Sequence, residues 1–257
     1  ENTCFRKISP GPPEPGEPSP PSAAPLAVES LRYTGLDYVI VDTEHSPAGI
    51  ESAAAQIAAA QGAGLTALAR ANEISRTAVL RLLDVGAQGV VVPCVETVEE
   101  VRELVRYAKF APLGNRGFCP PGTAAGATPP MRSPFPAIWR PATGRRCCCP
   151  SAKLWAAWST LEEITAMDGV DGIFVGPFDL SIALGHPGEF NAPVVHDAIL
   201  RVQAACKRSG KLSIIFTGSA AASRQRFAEG FDSVTMGMDS LFYVEMYKNL
   251  VADVWGK

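Results

Sequence analysis

Short apolar runs alternate along this chain with longer stretches whose apolar residues recur at helical spacing. From about residue 26 the pattern predicts a helix around Ala27 to Tyr33, then a β-branched strand at Tyr38-Val39-Ile40-Val41-Asp42. An Ala-rich helix around Ile50 to Gln61 follows, ended by Gly62 and Gly64. The rhythm continues with a strand at Leu65 to Arg70, a helix at Thr77 to Leu83, a strand at Gly89 to Pro93 and a charged helix at Val98 to Ala108. It resumes with a strand at Gly172 to Gly176, a helix at Val194 to Ser209, a strand at Lys211 to Phe216, a helix at Ala220 to Ala228, a strand at Phe231 to Met236 and a last helix from about Ser240 to Val254. Strands that are apolar almost throughout, alternating with helices, are the signature of a parallel sheet covered by helices.

Two regions interrupt the rhythm. Residues 1 to 25 are rich in Pro, Gly, Ser and Glu, and proline supplies no N–H to a ladder, so this stretch is expected to be a disordered or extended tail. Residues 119 to 158 show neither a clean strand nor a clean helix before Trp155, and Arg145-Arg146-Cys147-Cys148-Cys149-Pro150 is unusual composition for a barrel strand. The domain expectation is therefore a tail over 1–25 and one α/β domain over 26–257. At 257 residues and 47% hydrophobic content, the chain has the size of one (β/α)8 barrel with a substantial core.

The formal net charge of −3, with no long Lys/Arg run, argues against nucleic acid as a partner. No apolar stretch reaches the roughly 18 residues that span a bilayer, and no apolar h-region of a secretory signal is seen at the N-terminus. Seven cysteines, three of them consecutive, do not form a disulfide framework or a CxxC zinc site. Reduced thiols in a cytoplasmic protein are expected.

Candidate chemistry collects at the carboxyl ends of the predicted strands. Asp42, Glu44 and His45 follow one, Arg70 closes the next, and Asp179 follows a third after Gly176-Pro177-Phe178. In a parallel barrel these ends converge on one rim. Histidine moves protons near neutral pH, arginine clamps a carboxylate or steadies an enolate, and carboxylates suit a hard divalent cation. Taken alone, each residue has a plainer reading: a loop histidine, a salt-bridged cation, or, for Asp179, a helix N-cap. Asp84 could likewise be polar decoration near a helix end.

The stretches Asp37 to Pro47, Ala69-Arg70-Ala71-Asn72, Arg81 to Gly89, Pro112 to Gly117 and Val170 to Ser181 resemble, in order, motifs of the HpcH/HpaI family of class II pyruvate aldolases. The resemblance covers about residues 30 to 118 and 159 to 245. It implies a (β/α)8 TIM barrel, here with a degenerate first strand and a disrupted fifth. It implies metal-dependent aldol chemistry on a 2-oxo acid and an aldehyde, with Mg²⁺, Mn²⁺ or Co²⁺ as cofactor, and a homo-oligomer. Residue by residue, it makes His45 the general base, Arg70 the enolate stabiliser and Asp84 the carboxylate that raises the basicity of the histidine. Asp179 becomes a metal ligand. Gly176, Pro177 and Phe178 line the substrate site, with the Phe178 backbone N–H on the substrate carboxylate. One departure stands out. Counting back from Leu161, the family's second acidic ligand falls at Lys153 and its substrate-contacting Gln at Ser151. An ammonium there would repel a cation. A barrel that keeps the fold but has a damaged metal site is therefore one alternative to the aldolase. A decarboxylase of oxaloacetate, or a bond-forming enzyme with the same enolate chemistry, is the other.

Overall fold

A computed structural model describes residues 14–19, 25–119, 147–152 and 159–255. Eight parallel strands close into a barrel in sequence order. They are β1 (Glu14–Ser19), β2 (Tyr38–Asp42), β3 (Thr66–Arg70), β4 (Gly89–Val92), β5 (Cys147–Ala152), β6 (Gly172–Val175), β7 (Leu212–Thr217) and β8 (Ser233–Met236). The described helices are α1 (Pro25–Ser30), α2 (Ile50–Gly62), α3 (Arg76–Asp84), α4 (Val98–Ala108), α5 (Leu161–Ala166), α6 (Pro177–Ala183), α7 (Pro193–Ser209), α8 (Ala220–Ala228) and α9 (Asp239–Trp255).

The period-two alternation of the strands separates two cores. Tyr38 and Ile40, Leu68, Val91, Cys149, Phe174, Leu212 and Ile214 fill the barrel interior. Their strand neighbours, including Val39, Val41, Ala67, Ala69, Val90 and Cys148, point outward and pack with Ile57, Leu83, Leu104, Leu161 and Ile199 from the surrounding helices. Both faces of the sheet are therefore dry, which is why the strands read as continuous apolar runs.

Local signals start and stop the helices. Thr97 and Glu100 form a reciprocal capping box on α4, and the Ser75 and Ser219 hydroxyls cap α3 and α8. Gly210 ends α7 in the left-handed region at φ 63°, where a side chain would be strained. Gly172 is required for a different reason. A Cβ there would lie 2.7 Å from the Leu212 carbonyl oxygen on β7.

Two expectations are corrected. Glu14–Ser19 lies inside the Pro-rich stretch expected to be a tail and to leave the first strand degenerate, yet it pairs as β1 with both β2 and β8. Without it those two strands would present open edges, and closure satisfies both. Proline tolerates the extended backbone, so two waiting neighbours override a weak local preference. Residues 1–13 lie outside the described residues. The Cys run, expected to disrupt the fifth strand, forms β5, with Gly89↔Cys147 to Val92↔Pro150 on one side and Ser151↔Phe174 on the other. Cysteine is a small apolar residue that buries readily, and Cys148 and Cys149 are both buried.

Among the described residues no helix is long and apolar enough to cross a membrane.

Candidate active site

The carboxyl ends of the strands open on a cavity of about 280 Å³. His45, Arg70 and Asp179 line it together with Asp42, and Gly176, Pro177 and Phe178 form one side. Each reaches the rim for a local reason. On β2, the alternation that turns Tyr38 and Ile40 inward also turns Asp42 inward, at the strand's last residue. Arg70 is the last residue of β3 and lies in register with Asp42. Asp179 sits in the first turn of α6, whose N-cap is Gly176, so it does not cap the helix itself. Its carboxylate packs over Gly176, and a Cβ there would lie 3.4 Å from Asp179 Oδ2.

The centre of the arrangement is a two-point ion pair. Arg70 Nε donates to Asp42 Oδ1 at 2.9 Å, and Nη2 donates to Oδ2. The fork fixes the guanidinium plane. Arg70 Nη1 lies 3.4 Å from Glu44 Oε2. Burial works against the charged guanidinium, but the hydrogen bonds and charge of Asp42, with Glu44 and Asp179 beyond, outweigh it and hold its pKa above the ordinary value. Burial likewise opposes the Asp42 carboxylate. Arg70 and the backbone amides of Glu44 and His45 reverse that and hold its pKa below the ordinary value.

His45 stands at the mouth, with 58% of its side chain exposed. The carboxylate beside it is that of Glu44, with Oε2 3.6 Å from Nε2. Asp84, expected to support the histidine, is placed elsewhere. It ends α3, accepts from Arg116 Nη2 at 2.6 Å, and is not part of the cavity wall. Arg116 is fully buried, stacks on the Phe110 ring at 4.7 Å and has burial lowering its pKa. Within one chain the structure thus brings together His45, Arg70, Asp179 and the Gly176–Phe178 start of α6, and leaves Asp84 outside. Lys153 lies outside the described residues. Glu162 and Glu163 are turned to Arg201, Arg208 and Arg102 on the outer helices, away from the cavity.

The sequence puts Asp42 and Glu44 at the strand end as carboxylates suited to a cation, without a partner for either. The register of β2 on β3 makes Asp42 the partner of Arg70, and that pairing could not be read from the local sequence. The apolar wall of Ile40, Val91, Phe174, Phe216 and Met238 was also missed. The inward-facing alternation along the strands was a signal that could have found its strand residues.

As to a metal ion, the described residues hold no group of three or more His, Cys, Asp or Glu placed to bind one. Both Asp42 oxygens are engaged by Arg70, so the described cavity offers a cation chiefly the Asp179 carboxylate. This fits only part of a site. Magnesium usually takes one or two protein carboxylates and fills its remaining positions with water and substrate oxygens.

The HpcH/HpaI aldolase/citrate lyase family model matches residues 20–245. A hydroxypyruvate/pyruvate aldolase of Roseovarius nubinhibens is 33% identical over 190 residues, 72% of each chain. A 4-hydroxy-2-oxovalerate aldolase of Rhodococcus jostii is 31% identical, covering 85% of this chain and 83% of its own. Among solved structures, an HpcH/HpaI aldolase from Desulfitobacterium hafniense superposes with a TM-score of 0.90 at 28% identity, over 99% of this chain and 97% of the other. A family protein from Burkholderia cenocepacia gives 0.89 at 29% identity, over 99% of both. The match of the family model over most of the chain, on the barrel and rim already described, places this chain in the HpcH/HpaI aldolase/citrate lyase family of aldolase-type lyases.

Proposed function

We propose that the cavity carries out aldol cleavage and condensation of a 2-oxo acid through a pyruvate enolate. The observation that carries the reading is the convergence of His45, Arg70 and Asp179 on one cavity, with Arg70 locked by Asp42. An anionic 2-oxo acid entering it meets a fixed, permanently charged guanidinium. As a proton leaves C3, negative charge grows on the keto oxygen, and a donor already held in place stabilises that charge without reorganising. His45, exposed at the mouth, exchanges the proton at C3, directly or through a water. We assign the carboxylate that orients the ring to Glu44, whose Oε2 lies 3.6 Å from Nε2, in place of Asp84. The Phe178 backbone N–H is in the first turn of α6 and has no helical acceptor by position, which suits it to the substrate carboxylate. A divalent cation (Mg²⁺, Mn²⁺ or Co²⁺), held in part by Asp179, would polarise the 2-oxo acid.

The test is exchange of the pyruvate methyl protons in D₂O by NMR, with and without Mg²⁺ or Mn²⁺. Wild type is expected to exchange, faster with metal. Removing the proton-transfer group in His45→Ala is expected to slow exchange by about 10²-fold or more. A folded wild type that does not exchange, or a variant that exchanges at the wild-type rate, would overturn the reading.

We also infer that the protein works as a homo-oligomer. No residue of α9 is buried, and Leu241, Tyr243, Tyr247, Leu250, Val254 and Trp255 are 51–70% exposed. So large an apolar face marks an interaction surface, and a second copy of the chain is the occupant we assign. The cysteines, odd in number and with three consecutive, make no disulfide framework by spacing, which suits a reducing, cytoplasmic setting.

A further inference from the structure

A second cavity of about 390 Å³ adjoins the first. Pro177, Phe178 and Phe216 border both. Phe190 completes its wall and meets Phe178 edge to face, with ring centroids 4.7 Å apart and planes at 82°. Phe178 nevertheless remains 56% exposed, so its ring still has a face to cover.

Most polar side chains of the described wall are engaged by residues behind it. Arg226 is buried and donates from Nη1 to Glu229 at 2.7 Å, and Gln225 Nε2 donates to the same glutamate at 2.8 Å. Thr217 Oγ1 lies 2.8 Å from Ser223 Oγ. The one full charge on this wall is thereby neutralised by its own neighbour. A polyhydroxylated or anionic guest would shed water here and recover few hydrogen bonds, which is costly. A flat or apolar guest would instead cover phenyl surface, the favourable exchange.

We propose that this cavity is the acceptor side of the site and holds the side chain of an aromatic or long apolar aldehyde. The proposal rests on the enolate reading above. The C2–C3 π pair of the enolate forms the new bond to the aldehyde carbon as the C2 keto group re-forms, the aldehyde's carbonyl π pair moves to its oxygen, and that oxygen takes up a proton from water. Cleavage reverses each of these changes. The two cavities share the 177–178 edge, so an aldehyde whose reacting carbon lies in the first can carry its side chain into the second.

The experiment compares kcat/KM for 3-phenylpropanal, glycolaldehyde and succinic semialdehyde with pyruvate as donor, on the whole protein. Methyl exchange in D₂O is measured on the same preparations. We expect 3-phenylpropanal to be preferred by about tenfold or more, as one buried ring allows. Phe190→Ala is expected to erase most of that preference through KM, and Phe190→Leu, which keeps an apolar wall, to retain part of it. Preference for glycolaldehyde or succinic semialdehyde in a protein that exchanges methyl protons would overturn the acceptor assignment alone. So would an unchanged preference in a folded Phe190→Ala. Absence of exchange in folded wild type would remove the enolate reading and this proposal with it.

Discussion

At the scale of single residues, Asp42 carries more than its position in the sequence suggests. It is 7% exposed and engages two nitrogens of Arg70. Truncating one side of such a pair leaves the other buried charge without its partner. Asp42→Asn is therefore expected to lower stability by about 3 kcal/mol in urea denaturation and to slow methyl exchange as well. The pH dependence has a definite sign. The folded carboxylate titrates below its ordinary value of 3.8. The stability it contributes is complete above that value and is lost as pH falls through the depressed folded pKa. Wild type minus Asp42→Asn, measured by denaturation in acid, should show a stability difference that shrinks over that interval. A difference independent of pH would refute the ion pair.

Tyr38 makes the opposite kind of prediction. Its ring lies inside the barrel, and its hydroxyl meets the Ser233 and Thr235 hydroxyls, both at 2.9 Å. Burial, opposed by those two hydrogen bonds, raises its pKa to about 12 from 10.0. The neutral form is favoured in the fold, so this contribution is whole below pH 10 and fades as pH rises through 12. Spectrophotometric titration of wild type minus Tyr38→Phe should isolate one phenol that ionises late. An ordinary midpoint would place Tyr38 in water.

At the scale of elements, β5 and β1 show how far local composition can mislead. Cys-Cys-Cys-Pro-Ser-Ala has little strand preference of its own. It becomes a strand because β4 and β6 leave a gap of one strand's width between them. That placement is open to chemistry. Cys148, Cys149 and Cys206 are buried, whereas Cys94 and Cys119 are exposed, and burial pushes the Cys206 thiol up to about 12. In the native protein a thiol reagent should label Cys94 and Cys119 rapidly, since the thiolate must form and be reached. The three buried thiols should react only after denaturation, as read by peptide mass spectrometry. Fast labelling of Cys148 and Cys149 would show that β5 is not inserted.

At the scale of the whole molecule, α9 is a helix with no buried residue. Native mass measurement should find more than one chain per particle. Charging the face with Leu250→Glu and Val254→Glu should shift the particle towards one chain without unfolding the barrel, because neither side chain is buried. A wild-type monomer would reject the assembly.

Much of this molecule was legible in its sequence. The run Val98–Ala108 reads as a charged helix from its spacing, and the structure gives the same bounds. Ala220–Ala228 agrees as well, because periodicity is a property of neighbouring residues. His45, Arg70 and Asp179 were readable as rim residues because a parallel barrel sends every strand end to one side. The sequence could not assign partners across the barrel. Arg70 belongs to Asp42 because β2 and β3 pair in that register. Glu44 lies beside His45 while Asp84 turns to Arg116, because α3 carries its last residue away from the cavity. The strands β1 and β5 exist because closure leaves them two templates each. Local spacing, then, determined the elements other than β1 and β5, and the chemistry at their ends. Only the closed barrel decided which of those ends meet, because contacts between residues far apart in the chain depend on strand order and register.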